Sequence, residues 1–425
     1  MPPPNLIYLH SHDTGRHVAP YGAAVATPNI ARVAAEGVLF RQAFCAAPTC
    51  SGSRACLLTG QWAHVNGMTG LAHRGWRLRE PERHVVHPLR AAGYWSALLG
   101  EQHVSADPAE LGYDEVVDVD TTLAASIVPA ARRLLRHQPP EPFFLSIGFF
   151  ETHRAFFAPA SARDALDVRA PAHLPDTPET RADAAALNAS TRSLDDAVGA
   201  VLDVLAETGV ARRTVVLLTT DHGLPFPGAK ATLSDRGTGV LLALRGPGFD
   251  GGVVSDALVS HVDVYPTLLE LAGAPAPDGL AGRSLLPLVR GEAGAVREAL
   301  FTELTYHAAY DPQRAVRTDR YKLVRLYGDR LEPVLANVDD SPSKDVMVRA
   351  GWAERPRPRE ALYDLLLDPG EAQNRLGDPA LETLQGELAE RLDRWMADTG
   401  DPLLDGPVPP PPGAIVDDPT AVSPR

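Results

Sequence analysis

Acidic and imidazole side chains follow two apolar runs of the chain. His12 and Asp13 come shortly after the first run, and Asp221 and His222 come shortly after another. A carboxylate beside an imidazole is a donor set that suits a divalent metal ion. Such a pair can also cap a loop, so each pair taken alone leaves both interpretations open.

Cys50 is the candidate nucleophile. It lies just before a predicted helix, and a helix N-terminus favours anions and lowers the pKa of a thiol. Arg54 lies one turn further along the same helix. A lone cysteine is more often a small buried residue, and Arg54 could pair with an acidic surface group. The segment alone therefore indicates a reactive site without excluding a structural role.

Apolar runs and helical segments alternate along the first part of the chain. Residues 5–9, 143–149 and 214–219 are typical of buried parallel strands, and a long helix is predicted at about 182–207. This alternation predicts an α/β protein with a doubly wound, mostly parallel sheet that carries helices on both faces.

Six candidate residues lie at the ends of predicted strands or in the loops that follow. Ligands of doubly wound sheets collect beyond the carboxyl ends of the strands. We therefore expect one shared site, formed by His12, Asp13, His103, His153, Asp221 and His222.

The pattern changes at about residue 301, where short strands and a late helix suggest a smaller sheet. We predict a catalytic α/β domain at 1–300 and a C-terminal α+β subdomain with a short antiparallel sheet at 301–402. Residues 403–425 contain a proline run and few large apolar residues, which predicts an extended tail.

Composition excludes several classes of partner. The formal charge is −14 without a run of lysine or arginine, so nucleic acid is not expected. No segment approaches the roughly 20 apolar residues that span a bilayer, so we expect no membrane partner. The N-terminus lacks a secretory pattern and Cys45, Cys50 and Cys56 are too few for a disulfide framework, which favours the cytoplasm. A homodimer is left open.

Several stretches, in order along the chain, resemble the type I sulfatase family. Residues 50–60 resemble its nucleophile segment, with Cys50 and Arg54 at the Cys and Arg positions of Cys-x-Pro-x-Arg. Residues 220–223 and Lys230 resemble the family's second metal-binding strand and its sulfate-binding cation. The branch that contains heparan N-sulfatase is most similar at 66–71, 224–227 and 401–402.

The resemblance implies a formylglycine mechanism. A maturase would oxidise Cys50 to formylglycine during synthesis, and the hydrated aldehyde would attack the sulfur of a small anionic sulfated substrate. One divalent metal ion, bound by the nucleophile and by His12, Asp13, Asp221 and His222, would activate it.

The resemblance also assigns roles around the sulfuryl group. Arg54 and Lys230 would hold the sulfuryl oxygens, and His153 would protonate the leaving group. His103 would be the base that expels sulfate. Two residues early in the smaller domain, His307 and Arg314, would face the substrate.

Three residues depart from the family pattern. His12 replaces an aspartate, and imidazole is a poor ligand for the family's usual calcium but a good one for manganese or zinc, which His222 would favour as well. Glu101 replaces an anion-binding lysine, and Gly52 replaces the proline that the maturase recognises.

These departures keep two other functions open. The chain could be a metal-dependent phosphodiester or phosphonate monoester hydrolase on the same scaffold, which the histidine-rich ligand set favours. It could also be a degenerate, sulfatase-like binding protein. Retention of Cys50, Arg54, His103, His153 and Lys230 favours the sulfatase.

Overall fold

The computed structural model describes residues 2–159 and 161–425. Its strands, in chain order, are β1 (Asn5–Ser11), β2 (Val38–Phe40), β3 (Ala43–Phe44), β4 (Trp95–Gly100), β5 (Glu115–Val117), β6 (Phe143–Gly148), β7 (Thr214–Thr220), β8 (Leu242–Arg245), β9 (Val253–Ser255), β10 (Val259–Ser260), β11 (Leu300–Tyr306), β12 (Tyr310–Arg317), β13 (Tyr321–Leu326) and β14 (Glu360–Asp364).

The α-helices differ widely in length, from a single turn to thirty residues. In chain order they are α1 (Pro28–Glu36), α2 (Cys50–Thr59), α3 (Ala63–Asn66), α4 (Val86–Ala91), α5 (Ala124–Arg136), α6 (Pro178–Glu207), α7 (Asp235–Thr238), α8 (Val264–Ala272), α9 (Leu286–Val289), α10 (Pro342–Arg349) and α11 (Glu382–Thr399). Among the described residues, no helix is long and apolar enough to cross a membrane.

Eight strands form the central sheet, in the order β5-β4-β6-β1-β7-β8-β2-β9. The pairs from β5 to β7 are parallel, and β8 alone runs against its neighbours β7 and β2. The predicted mostly parallel, doubly wound sheet is therefore confirmed. Because β4, β6, β1 and β7 are consecutive and parallel, their carboxyl ends meet at one edge of the sheet.

The alternation of side chains along β1 builds a core on each face of the sheet. Leu6 and Tyr8 pack on the face that α2, α4 and α8 cover. Ile7 and Leu9 point the other way and pack against α1, α5 and α6. A strand covered on both faces has no polar side, which explains why this segment is a continuous apolar run.

The long helix α6 begins earlier than the predicted residue 182. The side chain of Thr177 accepts a hydrogen bond from the backbone N–H of Thr180, and Pro178 occupies the first turn. Proline is favoured at that position because its missing N–H would have no helical partner there. The apolar periodicity begins only after this polar first turn, so a prediction based on that periodicity places the start of α6 too late in the chain.

A four-stranded antiparallel sheet, β11-β12-β13-β14, forms the C-terminal part of the chain. Helix α11 covers one face of it, and its Leu392 and Trp395 pack in the same cluster as Val316 and Leu323. The predicted short antiparallel sheet is confirmed, whereas the domain limits stay a prediction.

The last residues of the chain pack back onto the rest of the protein. Ile415 donates its backbone N–H to the carbonyl of Arg74, and Asp417 donates to the carbonyl of Ala308. The carboxylate of Asp417 is buried and pairs with the Arg74 guanidinium at 3.2 Å. The tail has little regular structure, but hydrogen bonds hold it against the segment before α4 and the turn between β11 and β12.

Arg314 of β12 ties the small sheet to the end of α11. Its guanidinium donates to both carboxylate oxygens of Asp401, at 2.5 and 2.9 Å, and lies 3.6 Å from Glu303. All three side chains are almost completely inaccessible to solvent. Burial of such charges is tolerated only while they remain paired.

We expect Arg314→Ala to lower the free energy of unfolding by about 3–5 kcal/mol, because it leaves the buried Asp401 carboxylate without its cation. Urea denaturation measures the change. The control is Arg136→Ala, whose ion pair with Glu207 is exposed, and which should cost no more than about 1 kcal/mol. Equal effects of the two substitutions would contradict a buried network.

Candidate active site at the carboxyl edge of the central sheet

The candidate residues meet at the carboxyl edge of the central sheet. His12 and Asp13 follow β1, and Asp221 and His222 follow β7, its hydrogen-bonded neighbour. Cys50 reaches the same place from the N-terminus of α2. The structure thus brings together residues that lie far apart in the chain.

Two carboxylates and two imidazoles form a buried cluster, which we call the carboxylate–imidazole cluster. The Nδ1 atom of His12 lies 3.2 Å from Asp13 Oδ1 and 3.1 Å from Asp221 Oδ2. The Nε2 atom of His222 lies 3.0 Å from Asp13 Oδ1. All four side chains are fully buried, so their charges interact without screening by water.

The backbone around this cluster is unusually constrained. Asp13 has a positive φ of 54°, and its N–H donates to Asp221 Oδ1 at 2.8 Å. The N–H of Gly223 donates to the carbonyl of Gly237. A Cβ on Gly223 would lie only 1.8 Å from the carbonyl oxygen of Arg236, so only glycine fits here.

The two carboxylates and the two imidazoles shift one another's pKa values. Burial alone would raise the pKa of Asp13, but Lys230 and His222 hold it well below its usual range. Burial alone would lower the pKa of His12, but the Asp221 carboxylate raises it to about 10. Carboxylates that stay ionised in this way require a cation next to them, whether a proton on imidazole or a metal ion.

The geometry fits a metal ion. One donor atom from each of His12, Asp13, Cys50 and Asp221 lies within 4.8 Å of the others. The Nε2 atom of His12 is buried, and it has no hydrogen-bond partner among the described residues. His222 completes the set, since its Nε2 lies next to both Asp13 and Cys50.

The Cys50 thiol lies inside this cluster. Its Sγ is 3.5 Å from His222 Nε2, and the residue is 2% exposed. Burial alone would raise its pKa, but His12, His103 and His222 lower it well below the usual value. The other cysteines, Cys45 and Cys56, are buried and unpaired, and burial raises their pKa.

Two buried cations flank the cluster. Arg54 donates to Asp221 Oδ2 at 3.2 Å and to the carbonyl of Ser11 at 3.0 Å. Lys230 Nζ lies 2.7 Å from Asp13 Oδ2 and 2.7 Å from Asp339 Oδ2. These fixed positive charges next to Cys50 can bind the oxygens of an anion.

Two further histidines complete the site. His153 donates from Nδ1 to the carbonyl of Arg154 at 2.6 Å, and its ring centroid lies 4.6 Å from that of His12. His103 has a positive φ of 54°, and its Nε2 lies 2.6 Å from the Nδ1 of His73. Burial and the charge of Lys230 lower the pKa of His153.

The two predicted substrate contacts have different surroundings. His307 is buried and its Nδ1 has no hydrogen-bond partner within the described ranges, and its charge helps to lower the pKa of His73. It therefore lies on the His103 side of the site. The structure does not bring Arg314 there, because its guanidinium is bound to Asp401 and Glu303.

Sequence reasoning missed two residues of the site. Asp339 lies in an acidic turn shortly before α10, where a carboxylate looks like an ordinary surface charge. His73 lies in the segment between α3 and α4, and its only distinguishing signal is the nearby Gly70-Leu71 motif. Asp339 and His73 both reach the site through long-range contacts, which no local sequence pattern predicts.

Two family models match the chain. The model described as Sulfatase matches residues 4–274. The model described as N-sulphoglucosamine sulphohydrolase, C-terminal, matches residues 232–348.

Characterised relatives cover nearly the whole chain. Human N-sulphoglucosamine sulphohydrolase is 31% identical over 95% of this chain and 92% of its own length. An ulvan-active sulfatase of Formosa agariphila is 25% identical over 94% of this chain and 75% of its own.

Solved structures share the fold. A protein in complex with its substrate D-glucosamine-2-N,6-O-disulfate has a TM-score of 0.75 at 19% identity, over 94% of this chain and 98% of its own. The phosphonate monoester hydrolase of Silicibacter pomeroyi has a TM-score of 0.72 at 21% identity, over 93% of this chain and 96% of its own.

We expect Gly223→Ala to displace the adjacent His222 and to destabilise the protein by about 1–3 kcal/mol, because the new methyl group meets backbone that cannot move aside. Thermal unfolding measures the loss. The control is Gly294→Ala, because nothing among the described residues lies within 4 Å of a Cβ at that position. A Gly223→Ala protein with unchanged stability would contradict the close approach.

Proposed function

Because the chain belongs to the sulfatase family, whose members hydrolyse sulfuric esters and sulfamates, we propose that it does so with a formylglycine nucleophile derived from Cys50. The observation that carries the proposal is the position of the Cys50 Sγ atom. It lies inside a buried cluster of acidic and imidazole donors, and the buried cations Arg54 and Lys230 pair with the two carboxylates of that cluster.

Conversion of Cys50 would have to precede folding, because the residue is buried in the folded protein. A Cβ at position 52 would meet the side-chain oxygen of Thr49 at 2.7 Å, so Gly52 leaves little free space at the start of α2. A maturase acts on the segment before this packing forms. In the folded protein, Cys50 is 2% exposed and would be out of reach of such an enzyme.

We propose that His12, Asp13, Asp221 and His222 hold one divalent metal ion next to the nucleophile. Such an ion supplies Lewis acidity, which favours the deprotonated form of the attacking hydroxyl. Two imidazoles suit manganese or zinc better than calcium, which prefers oxygen ligands. The Nδ1 atom of His12 lies 3.2 Å from Asp13 Oδ1 and 3.1 Å from Asp221 Oδ2, which supports its role as a ligand.

The remaining residues would bind the sulfuryl group and move protons. Arg54 and Lys230 would hold its oxygens, where charge develops during attack. His153 has Nδ1 occupied by a carbonyl, which leaves Nε2 to protonate the departing alcohol or amine. His103 would remove the second proton of the diol, and His73, 2.6 Å away, would fix the orientation of its ring.

We propose a small sulfated saccharide as the substrate. The human relative is named for N-sulphoglucosamine, and a structure with the same fold contains a doubly sulfated glucosamine. Both S–N and S–O bonds occur among these compounds, so sulfamates and sulfate esters of amino sugars are the first substrates to assay.

Protein co-expressed with a maturase should contain formylglycine at position 50, in which oxygen replaces sulfur and two hydrogens are lost. Mass spectrometry of the peptide detects it. Cys50→Ala should abolish sulfatase turnover, whereas Cys56→Ala, six positions further along α2 and outside the cluster, should keep it. Full activity of Cys50→Ala would refute the nucleophile.

Protein purified without added metal and then dialysed should retain nearly one divalent ion per chain, measured by elemental analysis. His12→Ala should lose most of this metal, because a buried ligand is removed from the cluster. The control is His137→Ala, an exposed histidine that follows α5 and should leave the metal content unchanged. Equal retention by all three proteins would exclude His12 as a ligand.

A phosphonate monoester hydrolase is the second candidate function. Asp13, Asp221 and His222 are donors that such an enzyme could use equally well, and the fold is shared. Comparison of 4-nitrophenyl sulfate with a phenyl phosphonate monoester separates the two functions. A faster reaction with the phosphonate would replace the sulfatase proposal.

A further inference from the structure

Lys230 lies between two carboxylates, those of Asp13 and Asp339. Its Nζ is 2.7 Å from Asp13 Oδ2 and equally 2.7 Å from Asp339 Oδ2. Lys230 is 1% exposed, whereas the Asp339 side chain is 22% exposed. Asp339 therefore covers the sulfate-binding cation from the solvent side, while Asp13 holds it from the interior.

This arrangement does not suit a second metal ion. One donor atom from each of Asp13, His153 and Asp339 lies within 4.8 Å of the others, which is a spacing that a metal could use. The ammonium group of Lys230 already provides a cation in contact with both carboxylates. Burial alone would raise the pKa of Asp339, but Lys230 lowers it, so the carboxylate stays ionised.

A bound anion must compete with Asp339 for Lys230. The position where the resemblance to sulfatases expects a second anion-binding lysine carries Glu101 in this chain. The charge of Glu101 reaches the site, since it contributes to the raised pKa of Arg54. The anion pocket is therefore less positive than two buried cations alone would make it.

We propose that Asp339 shifts the selectivity of the site towards monoanions, so that it weakens the binding of the sulfate dianion and of phosphate monoesters more than the binding of a sulfate monoester or sulfamate. This role of Asp339 rests on the proposed function, and it determines which charge the candidate active site prefers in a bound anion. Hydrolysis consumes one water and converts a monoanionic ester into an alcohol, a sulfate dianion and one proton. Product thus carries twice the substrate's charge.

A fixed negative charge acts on substrate and product unequally. By Coulomb's law, its repulsion of a dianion is twice its repulsion of a monoanion at the same place. Asp339 therefore raises the free energy of bound product more than that of bound substrate. When sulfate leaves, the carboxylate pairs again with Lys230 and neutralises the empty pocket, which limits inhibition by product.

The test is isothermal titration calorimetry of the metal-containing protein with sodium sulfate, followed by inhibition kinetics with the same salt. Asp339→Asn keeps the shape of the side chain and removes its charge. We expect sulfate to bind about tenfold more tightly to this variant, and the KM of a monoanionic aryl sulfate to fall by a smaller factor.

Two further variants serve as controls. Asp340→Asn removes the adjacent negative charge, whose side chain is 61% exposed and pairs with Lys344, and it should leave sulfate binding unchanged. Asp339→Glu keeps the charge and should bind sulfate as weakly as the wild type. Together these variants separate a charge effect from a general loss of structure, which would weaken sulfate binding instead.

The outcomes distinguish this inference from the proposed function. If Asp339→Asn binds sulfate no more tightly than the wild type, the role of Asp339 is wrong. The same holds if Asp340→Asn tightens sulfate binding as much as Asp339→Asn does. Neither result affects the proposed function as long as the wild type shows sulfatase turnover. A wild-type protein without sulfatase turnover refutes the proposed function itself. Calorimetry still shows, in that case, whether Asp339 opposes the binding of dianions.

Discussion

The site depends on two buried negative charges, Asp13 and Asp221. An ionised carboxylate in a protein interior costs several kcal/mol unless cations and hydrogen bonds compensate it. His12 and His222 lie against these carboxylates, and Lys230 and Arg54 pair with them, so these four groups supply the compensation. A divalent ion would satisfy the same requirement more fully than protons on imidazole.

The large sheet makes this concentration of charge possible. Its consecutive parallel strands deliver carboxylates and imidazoles to one edge, while apolar cores on both faces stabilise the strands that carry them. Helix α2 adds the Cys50 thiol with its N-terminus directed at the cluster, which favours negative charge on the nucleophile. Burial of apolar side chains in these cores therefore offsets the unfavourable free energy of burying the charges of the site.

The smaller sheet contributes to the site through the segments that flank its strands. His307 follows β11 and lies near His73, whereas Asp339 follows β13 and reaches Lys230. Arg314 lies in β12, but its role is to neutralise Asp401 and Glu303 within the sheet. The C-terminal part thus adds charged groups around the candidate site, whereas the candidate metal donors follow strands of the central sheet and the candidate nucleophile belongs to α2.

The sequence by itself determined the strands that are buried on both faces and the residues that follow them. The apolar run of β1, the polar pair His12 and Asp13 after it, and the motif around Cys50 are local features, so they can be recognised without coordinates. Only the tertiary structure decided that Asp339 contacts Lys230, that His73 contacts His103, and that Arg314 turns into a buried ion pair. These contacts join separate segments of the chain, and the contact of Asp339 with Lys230 also depends on how the two sheets pack, which no local propensity or periodicity encodes.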